Sequence, residues 1–295
     1  MRWLELSCQA DREAAEAVSE LFARHGRGVV VEDVDVLDGE VVADPDSPVT
    51  LRTYLPLDDS AAAKRLEIQK GLWILGMLRQ VGDLTERELA EADWAEAWKA
   101  HFYVHRVGRR LVIKPSWREY EPKPGDAIVE LDPGMAFGTG LHPTTRLCLQ
   151  ALEDLVVPGQ SVLDLGTGSG ILAIAAARLG ARSVLALDTD PVAVDAATAN
   201  VAANGLSQTV TVAAGTLPQA EPQIHYDLVV ANIIARVIVE LAPALAAALR
   251  PGGTLIASGV LAERGSEVAA ALARARLVLA ERRQSGDWLA LLARR

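Results

Sequence analysis

Apolar and polar positions change rhythm along the chain, and the changes mark its organisation. Residues 3–8, 28–33, 49–55 and 84–89 are short runs with strand character. Residues 12–24 and 61–78 instead repeat their apolar positions at the helical period. The predicted order β-α-β-β-α-β is that of a ferredoxin-like α+β unit. Residues 86–100 read as a charged helix carrying Trp94 and Trp98 four apart, so both indoles share one face. Strands at 103–106 and 110–114 follow, and the Pro-rich stretch 115–124 reads as an irregular connection. From residue 160 the rhythm becomes a regular strand-helix alternation. Strands at 161–165, 183–188, 209–213, 227–231 and 254–259 are separated by Ala-rich helices, which predicts a doubly wound parallel sheet. A helix at 263–275 and strands at 277–282 and 288–293 finish the chain, with Ser285-Gly286-Asp287 turning an antiparallel edge hairpin. The expected division is a ferredoxin-like domain over 1–57, a linker and helix over 58–100, and an α/β domain over 101–295.

Composition narrows the class. Hydrophobic residues make up 50% of the chain and aromatics 4%, so Ala, Val and Leu must fill the interior, a mixture suited to helices packed on a sheet. The first residues lack a basic start and an apolar run, and no stretch approaches the length of a membrane span. A soluble cytoplasmic protein with no membrane association is expected. A net charge of −10 argues against a large phosphate-tracking surface, so stable nucleic-acid binding is not expected and a basic protein partner suits the chain better. Cys8 and Cys148 lie far apart and fit no metal-ligand spacing; they read as buried thiols, with no metal expected.

The chemistry concentrates in three places. The first is the turn Leu163-Asp164-Leu165-Gly166-Thr167-Gly168-Ser169-Gly170, which follows the first strand of the alternating region, where open parallel sheets bind ligands. A dinucleotide fingerprint needs a third glycine at position 171, which is Ile, and no Gly-Lys-Ser/Thr marks a P-loop. Asp188 ends the next strand, 22 positions beyond Gly166, where a carboxylate can accept both hydroxyl protons of a ribose. The second place is the loop 132–145, which holds Phe137, Gly138, Gly140, His142 and the pair Thr144-Thr145. Thr144 or Thr145 is placed to cap a helix over 146–155 or to turn a hydroxyl toward a cofactor, and His142 reads as a packing residue before a base. The third is Asn232, just past the strand 227–231. Its side-chain oxygen can accept a hydrogen bond from an incoming amine, or the residue can simply stabilise a strand-to-helix turn.

Together these residues resemble the PrmA family, bacterial methyltransferases of large-subunit ribosomal protein L11. The resemblance is carried by the 132–145 loop, the 163–170 turn, Asp188-Thr189-Asp190-Pro191 and Val230-Ala231-Asn232-Ile233. Trp98-Lys99-Ala100-His101-Phe102 and Pro115-Ser116-Trp117 add to it upstream. It implies a class I, S-adenosylmethionine-dependent enzyme with a seven-stranded Rossmann-like catalytic domain. It also implies an N-terminal domain that holds the ribosomal protein, and a monomer. By the same motifs, Thr145, Gly166, Gly168, Asp188 and Asn232 would contact S-adenosylmethionine, with Phe137 in a loop over it. Asn232 would be the catalytic residue, facing a lysine or N-terminal amine. Methyltransferases of glutamine or adenine carry Pro-Pro after the corresponding Asn, whereas Ile233-Ile234 stand here. Other readings stay open from the residues alone. They are a class I methyltransferase of another protein, an RNA or a small molecule, a non-catalytic S-adenosylmethionine-binding module, and, more remotely, a dehydrogenase.

Overall fold

The computed structural model describes residues 2–26, 29–32, 35–37, 40–42, 48–90, 103–131, 140, 142–217 and 225–295. They fall into two compact units, Met1–Tyr103 and Val104–Arg295. No helix among the described residues is long and apolar enough to cross a membrane.

The first unit runs β1 (Arg2–Ala10), α1 (Arg12–His25), β2 (Val29–Glu32), a short hairpin of β3 (Asp35–Leu37) and β4 (Glu40–Val42), β5 (Val49–Pro56), α2 (Ala61–Gly76) and β6 (Thr85–Ala90). Its sheet has the order β2-β5-β1-β6, with every pairing antiparallel, which is the ferredoxin-like arrangement. Period-two alternation puts Leu4, Leu6, Cys8 and Ala10 on one face with Leu51 and Leu55, where they bury against Val18, Phe22, Ile68 and Leu72 of the helices. Asp11 ties the start of α1 to the segment that follows α2, because one oxygen accepts from Ala14 N at 2.7 Å as an N-cap and the other from Gln80 N at 2.8 Å.

The boundary expected at residue 57 cuts this unit. β6 pairs with β1 from Arg2↔Ala90 to Ser7↔Thr85, and α2 packs on the same core, so residues 61–90 belong to the sheet-and-helix unit rather than to a linker. The reason is the free edge of β1, whose main-chain groups need a partner strand. The helix expected over 86–100, with Trp94 and Trp98, lies outside the described residues beyond Ala90, and residues 85–90 are strand.

The second unit opens with β7 (His105–Val107), β8 (Leu111–Lys114) and β9 (Ala127–Glu130), of which β9 runs parallel to β8. Glu153 anchors the β7–β8 turn, its carboxylate accepting from Arg109 N at 2.7 Å and Leu111 N at 3.3 Å, and from Arg110 N. Then come α3 (Pro143–Leu155), β10 (Ser161–Leu165), α4 (Ile171–Arg178), β11 (Ser183–Asp188), α5 (Pro191–Ala203), β12 (Val210–Ala214) and β13 (Tyr226–Asn232). The chain closes with α6 (Ala235–Ala248), β14 (Leu249–Leu261), a 3₁₀ turn (Ala262–Arg264), α7 (Gly265–Arg274), β15 (Val278–Ser285) and β16 (Trp288–Arg294). The seven strands are ordered β12-β11-β10-β13-β14-β16-β15: β10 to β14 are mutually parallel, and the β15–β16 hairpin adds antiparallel at the edge. Helices cover both faces, so central strands such as 228–231 are apolar at every position and feed two separate core clusters.

Candidate functional site

The C-terminal ends of β10, β11, β13 and β14 meet at one edge of the seven-stranded sheet, where each of these four strands leads into a helix. The turn after β10 is shaped by glycines at φ +74 (Gly166), +56 (Gly168) and +84 (Gly170), a left-handed region that side chains rarely adopt. At Gly166 a β-carbon would also meet Ile233 Cγ2, so the turn lies directly against the Asn232-Ile233 segment. Asp164 holds the turn from inside: Thr167 Oγ1 and Ala173 N both donate to its Oδ2, at 2.6 and 3.1 Å. Burial pushes this carboxyl up to about 7, opposed by those two hydrogen bonds.

Asp188 stands opposite. Gly168 N donates to one of its oxygens at 2.9 Å and Asp190 N to the other at 3.0 Å, which fixes the carboxylate plane and leaves further lone pairs on both oxygens. That is the acceptor set two ribose hydroxyls require, beside a turn whose missing side chains let a ligand approach the main chain. The residues present therefore fit a nucleoside cofactor.

α3 starts three residues earlier than the sequence predicts. The cap is neither Thr144 nor Thr145 but His142, whose Nδ1 accepts from Thr144 N at 3.4 Å and lies 2.7 Å from Thr144 Oγ1, while Pro143 presets the first helical φ. The His142 ring meets Trp288 edge-on at 5.0 Å, and burial lowers its pKa to about 4. It is a neutral structural cap at physiological pH. Thr144 and Thr145 are buried in the first turn, and Thr145 Oγ1 accepts from Asn232 Nδ2 at 3.3 Å. Thr145, Gly166, Gly168, Asp188 and Asn232 thus gather at one strand-end edge, and Phe137 lies outside the described residues.

Two contributors escape a reading of the sequence. Ser258, fully buried and paired with Asn232 in the β13–β14 ladder, donates to Leu289 O at 2.9 Å, lies 3.4 Å from Thr144 O, and offers its carbonyl to Ile233 N at 3.2 Å. Gly259 follows at φ +80, where β14 shifts register against β16, and a β-carbon there would come within 2.4 Å of Ile233 O. The available signal was a Ser-Gly pair ending an apolar strand, which marks a bulge or a close main-chain approach. The two thiols take no part: burial pushes Cys8 up to about 11 and Cys148 up to about 12.

With this geometry in place, comparison with known proteins is informative. The family model described as "Ribosomal protein L11 methyltransferase (PrmA)" matches residues 2–295. A protein of Chloroflexus aurantiacus named "Ribosomal protein L11 methyltransferase" is 51% identical, over 99% of this chain and 98% of its own. One of the same name from Herpetosiphon aurantiacus is 48% identical over 100% of this chain and 99% of its own. Among solved structures, a ribosomal protein L11 methylase from Lactobacillus delbrueckii subsp. bulgaricus superposes with a TM-score of 0.59 at 38% identity, covering 65% of this chain and 98% of that one.

Proposed function

The chain belongs to the PrmA family of ribosomal protein L11 methyltransferases, and from that premise we propose that it transfers methyl groups from S-adenosylmethionine to lysine and N-terminal amino groups of ribosomal protein L11. The observation that carries the reading is a family match running through both units, so that it includes the ferredoxin-like unit as well as the strand-end site. The proposal assigns substrate holding to the ferredoxin-like unit and chemistry to the α/β unit, in a monomer acting in the cytoplasm without a metal.

S-Adenosylmethionine supplies a methyl group already activated on a sulfonium, so the protein's part is binding, orientation and proton management. Gly166 and Gly168 give main-chain access, Asp188 takes the ribose hydroxyls, and Thr145 and Phe137 are the further cofactor contacts that the family motifs imply. Held by those residues, S-adenosylmethionine would give its methyl group to an amine nitrogen and end as S-adenosylhomocysteine, the methylated nitrogen shedding a proton. A free lysine has a pKa of about 10.4, so the amine must reach the site neutral. Desolvation favours that form, and Asn232 Oδ1 accepts one of its N–H groups without acting as a strong base. Most of the acceleration then comes from alignment of nitrogen and methyl carbon.

The test offers labelled S-adenosylmethionine with purified unmethylated L11, bulk RNA and a metabolite extract in parallel. Label on L11 alone is the expected result. Label on another acceptor, or none despite measured binding of S-adenosylhomocysteine, overturns the substrate assignment.

A further inference from the structure

We propose that Ile234 is a specificity residue, an apolar rest for the methylene stem of a substrate lysine whose nitrogen meets Asn232. The inference rests on the methyl-transfer reading above and deepens it, by separating the two kinds of amine named there. Along β13 the side chains alternate, Leu228 and Val230 entering one core cluster and Val229 and Ala231 the other. Asn232 continues the first side and reaches Thr145 of α3, while Ile233 continues the second and lies against Gly166. Ile234 comes next, joins neither cluster and is 62% exposed.

A lone exposed apolar residue is ordinary on a protein surface. This one also occupies the N-cap of α6, where it makes no side-chain cap bond. Ile ranks among the poorest residues for that position, whereas Ser, Thr, Asp or Asn would satisfy a main-chain N–H that Ile cannot. Two local preferences are set aside in one side chain beside the strand-end amide, and a local rule broken with no gain inside the chain points to a use outside it. Among the described residues, Val192 and Ile234 are the large apolar side chains exposed where β10, β11, β13 and β14 lead into helices. Val192 opens α5 beyond Asp188, at the ribose end, so Ile234 is the one beside the amine. A lysine nitrogen that presents an N–H to Asn232 Oδ1 trails four methylenes, and burying them against an apolar side chain is favourable. An N-terminal amine is carried on its own α-carbon and has no such stem.

The test pairs Ile234→Ser, which removes the apolar surface and supplies a capping hydroxyl, with Ile234→Leu, which keeps the surface apolar. Initial methylation rates of unmethylated L11, well below its saturating concentration, are read site by site by mass spectrometry. The dissociation constant of S-adenosylhomocysteine and the melting temperature are measured beside them. Loss of contact with about two methylenes predicts roughly tenfold slower transfer to lysine in Ile234→Ser. Transfer to the N-terminal amine and binding of S-adenosylhomocysteine should stay within about twofold, because neither involves the stem. The melting temperature should hold or rise with the new cap, and Ile234→Leu should keep most of the lysine rate. A purely structural role would not slow one amine and spare the other in a protein at least as stable. An unchanged lysine rate in Ile234→Ser, an equal loss at both amines, or an Ile234→Leu as slow as Ile234→Ser overturns the inference. A wild type that methylates the N-terminal amine and no lysine overturns it too, while methyl transfer to L11 stands. A wild type that methylates neither amine removes both.

Discussion

Gly259 offers a sharp test of how the site is built, because the structure separates two costs of giving it a side chain. Its φ of +80 makes any L-residue strained, at about 1–2 kcal/mol. The second cost is steric: a β-carbon would lie 2.4 Å from Ile233 O, 2.8 Å from Ile233 C and 3.1 Å from Ile233 N. These are main-chain atoms joined to Asn232, so they cannot swing aside as a side chain would, and overpacking of this kind costs about 1–3 kcal/mol. Gly286, in the edge hairpin, is the control. Its φ is +55 and nothing lies within 4 Å of the β-carbon position, so Gly286→Ala carries the conformational cost alone. Gly259→Ala should therefore be less stable than Gly286→Ala by about 1–3 kcal/mol, or roughly 3–9 °C in the transition of a unit this size. Scanning calorimetry of the whole chain measures this, with the catalytic-unit transition identified by its rise when S-adenosylhomocysteine is added. Because Ile233 must shift, Asn232 shifts with it, and a misplacement on the order of 1 Å can cost up to about a hundredfold in transfer rate. Gly286→Ala should turn over like the wild type. If Gly259→Ala melts with Gly286→Ala and keeps wild-type turnover, the wedge between β14 and the Asn232-Ile233 segment does not support the site as argued.

Other expectations follow from the same geometry. Asp188→Asn removes the ionised acceptor held by Gly168 N and Asp190 N, and should weaken S-adenosylhomocysteine binding about 10- to 100-fold by calorimetry; a change under about twofold would take Asp188 out of the cofactor site. Asn232→Ala should cut turnover more than it weakens cofactor binding, and unchanged turnover removes Asn232 from the mechanism. His142 has a folded pKa of about 4 against an ordinary value of 6.5, so the native state prefers the neutral ring. Its contribution is complete above about pH 6.5 and is lost as the pH falls toward 4, amounting to about 3 kcal/mol. His142→Asn, a cap that does not titrate, should flatten that part of the stability profile, and an identical acid slope in both proteins would contradict the burial argument.

What the sequence made legible was local. The spacing of Gly166, Gly168 and Gly170, the carboxylate at the end of β11 and the Asn at the end of β13 are each a few residues whose roles depend on their own strand and turn. The alternation of strands and helices beyond residue 160 was equally plain, because Ala-rich helical stretches separate short apolar strands. What could not be read depends on contacts between distant segments. β9 is four residues without a distinctive pattern, held by parallel pairing with β8 and by Asn204, which donates to Glu130 O and accepts from Glu130 N at 2.9 Å. α2 and β6 were legible as the last helix and strand of the β-α-β-β-α-β order, and only the boundary set at residue 57 cut them off, because the pairing of β6 with the edge of β1 is a contact between distant segments. Propensity offered Thr144 or Thr145 as the cap on α3, or as a hydroxyl for the cofactor, whereas His142 fills the cap with its ring packed edge-on against Trp288 from the far end of the chain.

The central claim, methyl transfer to the amines of L11, is tested most directly by mass spectrometry of purified unmethylated L11 after incubation with this protein and S-adenosylmethionine. The account predicts mass increments of whole methyl groups that map to lysine side chains or the N-terminal amine, and no increment when Asn232→Ala replaces the wild type for the same brief incubation. Unmodified L11, alongside a protein that demonstrably binds S-adenosylhomocysteine, would contradict it.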